Sequence, residues 1–257
     1  VDNNLLKAAE KLVKAYGLNL LAAFSKPLVA ESLELALAQK IQNQTTATQA
    51  PAIAALSLDE LQDGLANDAA TLVYQPKVRL KDKLVVGAEC LARWRHPQRG
   101  VLGPACFVPV LEAHGLIGKL TLQILQKAAA QAAAWQAQGW QFKLAVNVSM
   151  EDLNSLDLPE IMEEIVVAAG VNPTMIILEL TESRLMENLT LSLEILARLR
   201  LKGFGLSIDD FGTGFSTMEN LKLLPFTELK IDRAFVNGAS HDEAARAILG
   251  SSIQLAK

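Results

Sequence analysis

The sequence predicts an α/β fold whose strands run mainly parallel and close toward a barrel, with helices outside. Three observations predict it. From Leu72 onward, apolar runs of strand length alternate with stretches of helical period, most of those helical stretches end at a glycine, and the polar residues inside the strand runs fall in one phase. With 257 residues, the chain is long enough for one barrel-sized domain and a smaller unit beside it.

The first part differs in character from the rest. "NNLLKAAEKLVKAYG" has helical apolar spacing stopped by Gly17, "LNLLAAF" suits a short buried strand, and "LVAESLELALAQKIQ" is helical again. The polar, small-residue run "NQTTATQAPAIAA", broken by Pro51, reads as a linker. The expected organisation is a helix-strand-helix piece over 1–42, a linker over 43–58 and the main domain over 59–257.

Six strands follow in the main domain: "TLVYQPKV", "LVVGAECLARW", "FKLAVNVS", "MIILELTES", "GLSIDD" and "ELKID". Only "RLKDK" separates the first two, too short for a crossover, so they are expected to pair antiparallel. Between the others lie "LTLQILQKAAAQAAAWQAQG", "LPEIMEEIVVAAG" and "LSLEILARLRLKG", helices closed by Gly139, Gly170 and Gly203 in the manner of left-handed caps.

Composition excludes several classes. Lys and Arg total 24 against 28 Asp and Glu, a net charge of -4 with no basic stripe, so a long nucleic acid is not an expected partner. No apolar run reaches the roughly 20 residues of a membrane span, and the start lacks the layout of a signal peptide, so a cytoplasmic protein is expected. Cys90 and Cys106 lack zinc spacing and read as two reduced, buried thiols. His96, His114 and His241 fall at no inward strand end and read as structural or solvent-exposed.

The polar residues of the strands carry the chemistry. Alternation places Leu144, Val146 and Val148 opposite Ala145 and Asn147, Leu178 and Leu180 opposite Glu179, Leu206 and Ile208 opposite Asp209, and Leu229 and Ile231 opposite Lys230. Helices covering a barrel demand the bulky set outward, so Glu89, Asn147, Glu179, Asp209 and Lys230 are expected to converge at the axis. Four oxygen-bearing side chains around one mouth suit a hard cation, Mg²⁺ or Mn²⁺. Asp210 joins Asp209 at the strand end, where Gly212 and Gly214 free the following loop, and a divalent ion would relieve the repulsion of the pair.

These stretches, "YQPKV", "GAECLARWRHPQRGVLGPACFVPVLEAHG", "NVS", "ELTES" and "DDFGTGFSTMENLKLLPFTELKIDRAFV", resemble in order and spacing the EAL domain, a family of cyclic di-GMP phosphodiesterases. The resemblance implies a modified TIM barrel with an antiparallel first strand pair. It implies that Glu89, Asn147, Glu179 and Asp209 ligate one metal, Asp209 and Asp210 a second, and that Lys230 positions or polarises the attacking water. Glu182 would anchor the glycine loop after the aspartate pair, Gln75 and Arg93 would lie near the substrate phosphates, and Leu91 at the guanine-side wall. Cys90 stands where the family usually has alanine, and Thr227 where it usually has aspartate.

The sequence ends without the EGVE-type and QGY-type segments of the family, which would leave the barrel two strands and one metal-site glutamate short. "LNLLAAFSKPL" resembles the last strand of a response-regulator receiver, with Lys26 as its phosphate-sensing lysine and Pro27 after it. The expectation is a fragment of a receiver-EAL protein that hydrolyses cyclic di-GMP to linear pGpG under receiver control. Its expected partners are cyclic di-GMP, a second copy of the chain in a homo-oligomer, and a sensor kinase. The alternative is a catalytically inactive module that binds cyclic di-GMP and passes a signal; an unrelated metal-dependent barrel lyase is the remoter third class.

Overall fold

The computed structural model describes residues 55–149, 155–181, 189–211 and 223–256. The chain divides into units over 1–54 and 55–257, and every described residue belongs to the second. The receiver-like segment with Lys26 and Pro27 therefore lies outside the described residues.

The unit opens with α1 (Leu58–Ala66), whose start is fixed by a reciprocal cap. Ser57 Oγ accepts from the Glu60 amide, and the Glu60 carboxylate accepts from the Ser57 amide, satisfying two donors that the first turn leaves free. Then come β1 (Ala70–Val78), β2 (Val85–His96) and β3 (Gly100–Leu102), followed by α2 (Val108–Ala113) and α3 (Ile117–Ala137). The remainder is β4 (Lys143–Asn147), α4 (Leu158–Ala168), β5 (Ile176–Thr181), α5 (Leu189–Leu201), β6 (Gly205–Phe211), β7 (Glu228–Ile231), α6 (Arg233–Gly238) and α7 (Glu243–Leu255).

One sheet runs in the order β1-β2-β4-β5-β6-β7, with β3 paired to β2. β1 and β2 are antiparallel, as their short connection demands, and every pair from β2–β4 through β6–β7 is parallel. The short β3 was not legible in the sequence, because three residues carry no alternation to read. The glycines expected to cap α3, α4 and α5 do adopt left-handed backbone, with φ of +85° at Gly139, +76° at Gly170 and +100° at Gly203.

The outward faces of the strands and the inner faces of the helices form the core. Leu144, Val146, Ile176, Leu178, Leu206 and Ile208 are closed to solvent, as are Leu125 and Ala128 of α3, Met162 and Val166 of α4, and Ile195 and Leu199 of α5. Each Leu, Ile, Val or Met side chain among them contributes about 1.5–3 kcal/mol by leaving water. The bulky set thus faces the helices, which leaves the opposite face for polar groups.

The sheet is strongly curled. Six strands laid flat would separate β1 from β7 by about 24 Å. Instead Lys77 Nζ on β1 lies 3.7 Å from Glu228 Oε2 on β7. That curvature, together with an inner face that includes the small residues Gly87, Ala145, Gly205 and Ser207, brings side chains from distant strands together.

Candidate functional site

Strand register sets which side chains share the inner face. Gln75 pairs with Glu89 across β1 and β2, Glu89 with Ala145, Asn147 with Glu179, and Thr181 with Asp209. Laterally paired residues point to the same side of a sheet, so Glu89, Asn147, Glu179 and Asp209 look into the barrel. Asn147 is the last residue of β4, while Glu179 and Asp209 lie in the second halves of β5 and β6. The β6–β7 register shifts between Ile208 and Phe211, where the two aspartates stand. Asp210 takes a positive φ of 52° there, and its amide donates to Asp209 Oδ1 at 2.8 Å.

Carboxylate oxygens of Glu89, Glu179 and Asp209 lie within 4.8 Å of one another. The Lys230 ammonium sits among them and donates to Glu179 Oε2 at 2.8 Å, Asp209 Oδ2 at 2.8 Å and Glu89 Oε2 at 3.3 Å. Asn147 Nδ2 donates to Glu89 Oε1 at 3.2 Å, which orients that carboxylate from its other side. Burial works against the Lys230 charge, but the hydrogen bonds it donates to Asp209 and Glu179 outweigh it and raise its pKa. The cluster thus already holds one positive charge, the Lys230 ammonium, among carboxylates of three strands. Three carboxylates so placed could hold a metal ion.

The other expected site residues are placed as follows. Gln75 is exposed on the inner face beside Glu89. Leu91 and Arg93 follow Glu89 at alternate positions on β2, and the Arg93 guanidinium donates to the Ala92 carbonyl at 2.7 Å. Asp210 is not among the three converging carboxylates; burial, then the Asp209 charge and then that of Asp232, raise its pKa. Asp232 in turn caps α6 by accepting from the Ala234 amide at 2.6 Å. Glu182 lies outside the described residues.

Lys77 and Glu228, on the inner face near Glu179, were not singled out from the sequence. Lys77 donates to Glu179 Oε1 at 2.8 Å, and Glu228 lies beside it. The "YQPKV" stretch contains Lys77, but its phase on β1 follows only from the antiparallel register. Thr227, too, has a visible role: it binds the Leu206 amide and carbonyl through its hydroxyl, at 3.1 Å and 3.0 Å, and so joins the starts of β6 and β7.

A pocket of about 440 Å³ is bordered by Asn147 and Leu91. Leu91, Pro104, Val108 and Ile117 give it apolar walls, and Asn147, Ser149 and Glu112 give it polar atoms. Cys90 also borders it, but its thiol is buried, and burial followed by the charges of Glu179 and Glu89 pushes its pKa up to about 12. That thiol stays protonated and is no nucleophile. His96 is structural, as expected: its Nδ1 accepts from the Gln98 and Arg99 amides, leaving Nε2–H to donate to Glu60 at 3.1 Å.

Residues 58–257 match the family model of the EAL domain. The cyclic di-GMP phosphodiesterase RocR of Pseudomonas aeruginosa is 34% identical over 263 residues, spanning 100% of this chain and 66% of that protein. The bifunctional diguanylate cyclase/cyclic di-GMP phosphodiesterase MucR of the same organism is 38% identical over 201 residues, 78% of this chain and 29% of its own. This chain thus spans less than two thirds of the length of those relatives. Among solved structures, the PaMucR phosphodiesterase in complex with c-di-GMP superimposes with a TM-score of 0.72 at 38% identity, over 77% of this chain and 81% of that one. The EAL enzyme Bd1971 in its cGMP-bound form gives 0.70 at 26% identity, over 100% and 63%.

Proposed function

This chain belongs to the EAL domain family, and on that premise we propose that it hydrolyses one phosphodiester of cyclic di-GMP to give linear pGpG, with Mg²⁺ or Mn²⁺. One observation carries the reading: Glu89, Glu179 and Asp209, from three strands, converge within 4.8 Å around an ammonium. Glu89, Asn147, Glu179 and Asp209 would hold the divalent ion, and Asp209 with Asp210 a second. The chemistry supplied by such ions is a water of lowered pKa and neutralised charge at the phosphorus.

The chain's own residues supply the rest. Lys230 keeps a fixed positive charge beside the carboxylates, where it orients the attacking water and stabilises charge on the phosphoryl oxygens. Gln75 and Arg93, on the same inner face, would hold the phosphates. Leu91 would form the wall against a guanine, in the apolar pocket next to Asn147. Glu182 would tether the loop after Asp210.

Regulation by an N-terminal receiver is part of the proposal. Its support is the stretch "LNLLAAFSKPL", which resembles the last strand of a receiver. A sensor kinase would phosphorylate that receiver, the protein would work in the cytoplasm, and a homo-oligomer would be its assembled state.

The test is product analysis. The purified protein is incubated with cyclic di-GMP, with chelator and then with added Mg²⁺ or Mn²⁺, and the nucleotides are separated. Metal-dependent pGpG is expected. Tight binding of uncleaved cyclic di-GMP under every metal condition would instead assign a receptor.

A further inference from the structure

Glu179 is the most enclosed member of the cluster, its side chain closed to solvent, and its two oxygens have different partners. Lys230 holds Oε2 at 2.8 Å and also bonds Asp209 and Glu89. Lys77 holds Oε1 at 2.8 Å, and behind it lies Glu228, 3.7 Å away on β7. The first ammonium stands among the three carboxylates, whereas the second stands beside only one of them and is tied on its far side to the opposite edge of the sheet. β1 presents Lys77 across from Gly87, which puts no side chain on the inner face there.

A divalent ion and the Lys230 ammonium compete for the same oxygens. When that ammonium yields Oε2 to the ion, the other oxygen, Oε1, still needs a donor, because the Glu179 side chain is closed to solvent. Lys77 meets that need from outside the triangle.

We propose that Lys77 is a positioning residue that fixes Glu179 through Oε1 and so presents Oε2 as the ligand atom for the divalent ion. The proposal rests on the metal-dependent reading above. Its physical content is a sign. If Lys77 acted only as a nearby positive charge, its removal would tighten cation binding; if it orients the ligand, its removal weakens binding.

The experiment is Mn²⁺ titration of the full chain, with free Mn²⁺ followed by electron paramagnetic resonance and thermal unfolding of the metal-free protein recorded alongside. Lys77→Met is expected to weaken Mn²⁺ binding by about tenfold or more, the usual scale for losing a partner that orients a ligand. Binding that is unchanged or tighter overturns the proposal. Lys77→Gln carries its amide one atom nearer the backbone than the ammonium it replaces; it is read by the same sign and serves if Lys77→Met does not fold. Glu179→Gln separates the two levels: if it leaves Mn²⁺ binding intact, the carboxylate centre itself is overturned and Lys77 with it. If it abolishes binding while Lys77→Met does not weaken it, only the role of Lys77 falls.

Discussion

Glu179 on β5 and Lys230 on β7 meet at 2.8 Å across the intervening β6, with the carboxylate closed to solvent. Side chains of next-but-one strands meet this way where a sheet curls around its own inner face. An ion pair in that position costs desolvation of both partners, which the further hydrogen bonds of Lys230 to Asp209 and Glu89 offset.

Removing a carboxylate from the centre should stop the reaction. Glu89→Ala and Asp209→Ala each delete a charged ligand and are expected to reduce pGpG formation below detection while the protein still unfolds cooperatively. Near-normal turnover of both variants at matched metal concentration would contradict the mechanism.

Replacing the central ammonium should expose the competition directly. Lys230→Met leaves three carboxylates without their shared donor and should destabilise the metal-free protein by about 2 kcal/mol. For a domain of this size that lowers Tm by roughly 4–8 °C. Mn²⁺ should then raise the Tm of the variant more than that of the parent, measured by scanning calorimetry, because nothing displaces it. Equal Mn²⁺ shifts would show that the ammonium and the ion do not share a place.

Gly87 governs the approach of β2 to β4, two residues before Glu89. A Cβ added there would lie 2.4 Å from the Lys143 carbonyl oxygen, a backbone atom held in the ladder. Gly87→Ala is therefore expected to cost about 1–3 kcal/mol of stability, as overpacking does. By shifting Glu89 it should weaken Mn²⁺ binding as well. Denaturant unfolding and Mn²⁺ titration together check both parts.

Tyr74 offers a test of the packing behind β1. Its ring meets Trp135 of α3 edge-on at 5.0 Å, and burial, with a smaller effect of Cys90, pushes its phenol up to about 12. An unfolded tyrosine titrates at about 10. Tyr74 accordingly favours the folded state fully below that value and loses the effect as pH rises through about 12. Absorbance titration of the phenolate should show a late step that disappears in Tyr74→Phe; an unchanged curve would count against this packing.

The sequence by itself determined the alternation of strands and helices, the antiparallel first pair, the glycine caps, and the inward phase of Glu89, Asn147, Glu179, Asp209 and Lys230. These are local properties: a period of two along a strand sorts side chains between core and lumen, and bulky aliphatic residues claim the core. Tertiary structure alone decided which inward groups touch. Lys77 entered the site through the antiparallel register of β1 with β2 and through the curl that sets it between Glu179 and Glu228. Asp210 stands apart from the carboxylate triangle, at a register shift of β6 and with a positive φ, where the charges of Asp209 and Asp232 act on its carboxyl. Neither outcome is written in a strand's own pattern, since register and curvature arise from pairing between segments far apart in the chain.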